Sequence, residues 1–420
     1  MPHDTPLITT MVVGLCLAFA LGLVAHRLKL PMIAGYLLAG VIIGPFTPGF
    51  VADQYLAQEL AELGVILLMF GVGLHFSLKE LMAVKTIAIP GALGQIIVAT
   101  AAGTLMGWAM GWTIGASIVF GLSLSVASTV VLLRSLQERG IVGQERGHIA
   151  VGWLIVEDLV MVLTLVLVPP LAGLLGGTAM PLDEETAEVA RLGVGTVIAT
   201  LLVTGAKVLA FLGLMLIVGS RLIPLILHYV AHTRQRELFR LAVLSIALGV
   251  AWGSAKFFGV SFALGAFFAG MVMAGSSLSA QAMKDTLPLR DAFAVLFFVS
   301  VGMLFDPAVI LTQPLSLLGT VVIIIGVKSL AAYGIVRAFG HGRPVAATIA
   351  ASLAQIGEFS FILIVMGVNL NVVPVEARDL VVAGSLLSIL ANPVIFAVLD
   401  RKGLGEVTEP QPEPARQATP

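Results

Sequence analysis

The chain has 420 residues, of which 58% are hydrophobic and only 11% charged, with a formal net charge of −1 and a single cysteine. So apolar a composition excludes a soluble domain, and so little charge gives no hint of a nucleic-acid partner. It describes an all-α polytopic membrane protein. The lone Cys16 excludes an internal disulfide and reads as a small apolar filler within the first span.

Apolar runs of spanning length, separated by polar or breaking residues, number thirteen. They lie near 7–26, 31–45, 58–75, 86–111, 113–134, 147–169, 192–219, 236–255, 259–275, 288–305, 312–337, 344–369 and 379–399. Alternate loops hold the basic residues: Arg27 and Lys29, Lys79 and Lys85, Arg134, Arg139 and Arg146, Arg221 to Arg240, Lys284 and Arg290, Arg337 and Arg343, Arg401 and Lys402. The opposite loops hold only Arg191, Lys256 and Arg378, and one carries the acidic Asp183, Glu184, Glu185 and Glu188. This alternation supports thirteen spans, with the N-terminus outside and the C-terminus cytoplasmic. The tail 403–420 is rich in Pro and Glu and reads as disordered.

The sixth run, GWLIVEDLVMV (152–162), sets Glu157 beside Asp158 in the middle of a span. There an ionised carboxylate costs roughly 2.5–3.5 kcal/mol even on the lenient insertion scale, so such acids mark ion or proton pathways.

An internal repeat locates their partners. VILLMFGVGLHF (65–76) lies over AVLFFVSVGMLF (294–305) at an offset of 229, which also lays SLSVASTVVLL (123–133) over SLAQIGEFSFI (352–362). One residue further, GYLLAG (35–40) falls on GAFFAG (265–270). Partners seven spans apart have opposite orientations, so the chain contains two inverted six-helix repeats, an architecture that places a transport site at the repeat interface. Spans five and twelve are interrupted at matching positions by Ser128 and Thr129 and by Gln355, Gly357 and Glu358. Both are expected to unwind there and expose half-helix ends to an ion.

Four spans then place polar groups at one depth: Ser128 and Thr129, Glu157 and Asp158, Lys328, and Gln355 and Glu358. Adjacent helical residues point about 100° apart, so one acid is expected to face a cation while the other pairs with Lys328 or titrates nearby. Glu358 reads equally well as a structural partner for a helix end. Arg290 and Asp291, at the entrance of span ten, form either a local ion pair or a cytoplasmic gate, the ion pair being favoured. The sequence contains no G-x-x-x-x-G-K-[ST], H-E-x-x-H or paired C-x-x-C, which argues against an enzyme and against a bound cofactor.

GYLLAGVIIGP (35–45), LGVILLMFGVGLHF (63–76), GWLIVEDLVMV (152–162), DTLPLRDAFAVLFFVSVGMLFDP (285–307) and AQIGEFSFIL (354–363) together resemble the Kef-type branch of the monovalent cation:proton antiporter-2 family, above all its YbaL-like members. The resemblance covers roughly residues 7–400. It implies a thirteen-helix sodium/proton-antiporter fold, usually a homodimer, with crossed discontinuous helices around Thr129 and Glu358. It also implies a dimer panel from 7–75 and 236–305, a moving core from 86–169 and 312–399, and a linker helix at 192–219. By the same resemblance Asp158 is the essential ion-binding carboxylate, Glu157 a variable neighbour, and Lys328 the basic residue before the second crossed helix. Kef-type relatives continue into a cytoplasmic nucleotide-binding regulatory domain. This sequence ends about twenty residues after its last span, so nucleotide or glutathione gating is not carried over.

The expectation is a secondary antiporter that exchanges K⁺ or Na⁺ for protons at Asp158 by elevator-like movement of the core. The alternatives are a channel-like K⁺ efflux path and a non-transporting sensor on the same fold.

Overall fold

The computed structural model describes residues 6–28, 30–75, 78–141, 143–178 and 196–404. The acidic loop 183–188, Arg191, Lys29 and the tail from 405 onward lie outside the described residues. Regular structure among the described residues is helical. In chain order the helices are α1 (Pro6–Arg27), α2 (Met32–Ile43), α3 (Gln54–His75), α4 (Leu78–Ala109), α5 (Ile114–Ser125), α6 (Thr129–Glu138) and α7 (Glu145–Leu171). After the undescribed loop, α8 (Thr196–Leu214) runs on through a π turn (Met215–Gly219) into Ser220–His232. Then come α9 (Arg236–Phe258), α10 (Phe262–Ala274), α11 (Ser279–Met303) and α12, whose halves Pro314–Val321 and Lys328–Ala338 are joined by a π turn, Val322–Val327. The last three are α13 (Arg343–Ser352), α14 (Glu358–Asn369) and α15 (Val375–Arg401).

Nine helices among the described residues are long and apolar enough to cross a membrane, and α2, α5, α10 and α14 are shorter apolar ones. Spans five and twelve are each a broken pair, α5 with α6 and α13 with α14. Local chemistry sets the ends. Gly259 closes α9 in the left-handed region (φ +62°), and the Ser261 hydroxyl then caps α10 by accepting from the Leu264 amide. The linker helix is longer than the apolar run suggests, because the charge of Arg221 falls inside α8 rather than after it; Ile223, Leu227 and Val230 are buried on one face of that last segment.

Two groups of helices pack mainly among themselves. In one, α3 lies against α10 and α11, α2 against α1 and α11, and α9 against α10. In the other, α4 lies against α5, α7 and α12, while α13, α14 and α15 close around α5 and α12. The repeat is written into the first group. Cβ atoms on Gly40 and Gly302 would run into the carbonyl oxygens of Val299 and Leu37, so α2 and α11 cross backbone to backbone. Gly73 and Gly270 stand in the same relation to the Phe267 and Phe70 carbonyls where α3 crosses α10. Offsets of 230 and 229 superpose Gly40 on Gly270 and Gly73 on Gly302: the two crossings are one contact used twice.

Polar contacts between distant segments sort by end of the bundle. Arg139 pairs with Asp400 (2.7 Å), Arg240 with Asp285 (3.1 Å) and His341 with Glu145 (3.1 Å), each joining loops that the span count puts on one side. At the other end the Asp53 amide donates to Thr10 (3.3 Å), and Thr178 bonds the Leu370 carbonyl and the Asn371 side chain (2.8 Å each).

Candidate functional site

The two breaks meet. Helix α5 stops at Ser125, Val126 is extended, and Ser128 starts α6 by accepting the Val131 amide on its hydroxyl (3.3 Å). Gly357 starts α14, and it lies so close to Ser128 that a Cβ there would collide with the Ser128 backbone. Gln355 reads both polar groups of Ser128: its Oε1 accepts from the Ser128 amide (2.8 Å) and its Nε2 donates to the Ser128 carbonyl (3.2 Å). Unwound backbone inside a bilayer must satisfy its hydrogen bonds from protein. Gln355 does so across the repeat interface.

Helix α7 presents its two acids to the first break. Glu157 Oε2 accepts from the Ala127 amide (2.8 Å), and Asp158 Oδ2 accepts from the Thr129 hydroxyl (3.2 Å). The angular step between consecutive helical residues thus sends them to opposite sides of Ser128. The other oxygen of each, Glu157 Oε1 and Asp158 Oδ1, is buried without a hydrogen-bond partner. Glu358 opens α14 with its carboxylate 3.5 Å from the Ser128 hydroxyl, and its charge bears on Asp158. An acid at a helix start faces the positive end of the dipole.

Lys328 is fully buried. Its ammonium donates to the Gln355 carbonyl at 2.6 Å, and Glu157 is the expected acid whose charge acts on it. The reason is geometric: the non-helical stretch between α13 and α14 leaves the Gln355 carbonyl facing Lys328, and a carbonyl freed from helix inside a membrane needs a donor from the protein. Arg290 and Asp291 form the favoured local ion pair (2.7 Å). They sit well inside α11 rather than at its entrance, with the Arg290 side chain against Gly71.

Sequence reasoning missed Gln95 on α4, fully buried, which donates to the Ser125 carbonyl (2.7 Å) and accepts from the Trp153 indole (3.1 Å). A lone amide inside an apolar run was the available signal. It also missed the π turn ending at Lys328, for which composition gives no sign.

Three buried carboxylates against one buried ammonium make the crossing net acidic when all are ionised, and unpartnered carboxylate oxygens there call for a proton or a cation. The sequence itself matches the transmembrane sodium/hydrogen exchanger family over residues 13–401. The chain belongs to that family. It is 60% identical over 401 residues to YbaL of Escherichia coli (strain K12), a proposed cation/proton antiporter, covering 96% of this chain and 70% of YbaL. It is 32% identical over 398 residues to K(+) efflux antiporter 4 of Arabidopsis thaliana, covering 94% of this chain and 64% of that protein. The fold matches the structure of the sodium proton antiporter MjNhaP1 from Methanocaldococcus jannaschii at pH 8, with a TM-score of 0.68 at 17% identity, over 95% of this chain and 99% of that one. The Kef-type resemblance and the antiporter fold read from the sequence therefore hold.

Proposed function

We propose that the protein exchanges a monovalent cation, K⁺ or Na⁺, for protons, with Asp158 carrying each in turn. The observation that carries this reading is the paired geometry of the acids. Each holds the first break by one oxygen and keeps a second oxygen buried and free. A carboxylate so placed is satisfied by a proton or by a desolvated cation but not by both, and this competition is the minimum requirement of antiport. Oxygen donors suit hard monovalent ions, and the hydroxyls of Thr129 and Ser128 stand ready beside Asp158 and Glu358. Glu157 and Lys328 hold the two breaks by their backbone groups and offset each other's charge.

In this reading α4–α7 and α12–α15 form a core that carries Asp158 past a panel of α1–α3 and α9–α11, with α8 as linker. Alternating access is then a movement of one packed group against the other. The panel is also the homodimer surface, and Arg290 with Asp291 remains a local ion pair on α11. The protein sits in the cell's inner membrane with its N-terminus outside, a placement supported by the basic residues at one end of the bundle. Names of the relatives include both K⁺ and sodium, so the ion is left as either.

The test is proton movement in proteoliposomes loaded with a pH-sensitive dye, with K⁺ or Na⁺ added to wild type and to Asp158→Asn. Cation-triggered proton flux is expected in wild type and lost in the variant. Equal flux in both would remove Asp158 from the mechanism, and a cation leak without proton movement would replace the antiporter by a channel.

A further inference from the structure

Both breaks leave carbonyls in the protein interior without a helical partner, Ser125 at the very end of α5 and Gln355 in the non-helical stretch between α13 and α14, and these need donors from elsewhere. At the second break Lys328 on α12 supplies one to the Gln355 carbonyl (2.6 Å). At the first, Gln95 on α4 supplies one to the Ser125 carbonyl (2.7 Å). The helices involved are repeat partners, α4 packing on α5 as α12 packs on α13, although the bonded residues are not in exact register: Ser125 falls on Ala354, next to Gln355. The offset of 229 lays Gln95 on Ile324, one helical turn before Lys328. The donors are a neutral amide in one half and an ammonium in the other.

Gln95 differs from Lys328 in having a second contact. Its Oε1 accepts from the Trp153 indole (3.1 Å), and Trp153 lies one turn before Glu157 on α7, on the same face. A closed circuit results. Trp153 orients Gln95, Gln95 holds the Ser125 carbonyl, and two residues on the Ala127 amide donates to Glu157, returning to α7. The break is thereby tied to α7 both before and at the acid pair, with Thr129 following immediately.

We infer that Gln95 is a positioning residue for ion binding, the uncharged counterpart of Lys328, which fixes the first break in register with Glu157 and Asp158. The inference rests on the proposal that Asp158 binds the transported cation. It predicts a loss that appears in cation affinity rather than in turnover, because no atom of Gln95 reaches the acids and only the geometry of the binding oxygens shifts.

The experiment compares Gln95→Met, Gln95→Leu and Trp153→Phe with wild type, each as full chain in proteoliposomes. The readouts are KM and kcat for cation-driven proton flux, with the melting temperature in detergent as a measure of folding. Gln95→Met removes both amide contacts at similar volume. Gln95→Leu removes the same two contacts with an apolar side chain of another shape. Trp153→Phe keeps the donor to Ser125. Both Gln95 variants are expected to raise KM about five- to tenfold with kcat within about twofold of wild type, and Trp153→Phe to raise it about twofold. A wild-type KM in either Gln95 variant overturns the inference. So does a fall in kcat and melting temperature together at unchanged KM, which is the mark of a purely structural role. Should Gln95→Met fail to fold, Gln95→Leu and Trp153→Phe decide in the same way. Absence of cation-driven flux in wild type would instead sink the antiport reading, and this inference with it.

Discussion

In the proposed mechanism Thr129 is the side chain that serves Asp158 as the binding carboxylate. Its hydroxyl donates to one oxygen of Asp158 at 3.2 Å, and the other oxygen has no partner. Replacing it by valine keeps the shape and the β-branch that suits the start of α6 and removes only the donor and the lone pairs. A hydrogen bond to a charged group is worth roughly 1.5–3 kcal/mol, so Thr129→Val should raise the apparent KM for the cation by about tenfold or more while leaving the protein folded. Steady-state proton flux against cation concentration measures it, and an unchanged KM would mean that Asp158 binds without this hydroxyl. The acids themselves were legible in the sequence because a charge at the middle of an apolar run has few explanations. The hydrogen-bond partner of Lys328 was not. Charge balance pointed to a carboxylate, and Glu157 is the acid whose charge acts on it, but the group that meets its Nζ is a carbonyl that faces it only because α13 ends where it does. Gln95 stayed hidden for the opposite reason, since an amide carries no charge to attract notice.

At the scale of elements the repeat does most of the explaining. The breaks could be foreseen because Ser128 and Gly357 occupy equivalent positions and both lie in runs of small polar residues, and both turn out to start a half-helix. The π turns could not be foreseen, because their sequences, MLIVG and VIIIGV, are apolar throughout and show no stripe for an inserted residue to displace. The glycine crossings were half legible: the GYLLAG and GAFFAG match was visible, but not that each glycine meets a carbonyl of the other repeat. That arrangement yields a symmetric prediction. Gly40→Ala and Gly302→Ala should each force α2 from α11, and Gly73→Ala and Gly270→Ala should do the same to α3 and α10. Overpacking of this kind costs typically 1–3 kcal/mol, and more when the obstacle is backbone. Lower melting temperatures and poorer yields are expected for all four, with similar losses at repeat-equivalent positions. Gly249→Ala and Gly213→Ala, where an added methyl meets nothing within 4 Å, should behave as wild type. A tolerated Gly40→Ala would show that the crossing is looser than drawn.

For the whole molecule the question is whether the two packed groups move against each other. Aromatic rings meet across their boundary, with Phe298 of α11 and Phe361 of α14 at 6.3 Å between centroids, edge to face. Both are buried, and Phe361 lies three residues beyond Glu358, close to the crossing. If the core slides past the panel, this contact must break in every cycle; if the site opens by local rearrangement alone, it need not. The two mechanisms separate in a background where Cys16, exposed on α1, is replaced by serine, so that introduced thiols are the only ones present. Phe298→Cys with Phe361→Cys, bridged by a short reagent that attaches through disulfides, should lose cation-driven proton flux on bridging and recover it on reduction. Trp112→Cys with Phe120→Cys provides the control. Those rings lie 5.1 Å apart beside and within α5, inside one packed group, and bridging them should leave exchange running. Flux that continues through a fully bridged α11–α14 pair would confine the motion to the breaks themselves. Alternating access would then rest on the crossing of Ser128 and Gly357 rather than on the travel of eight helices.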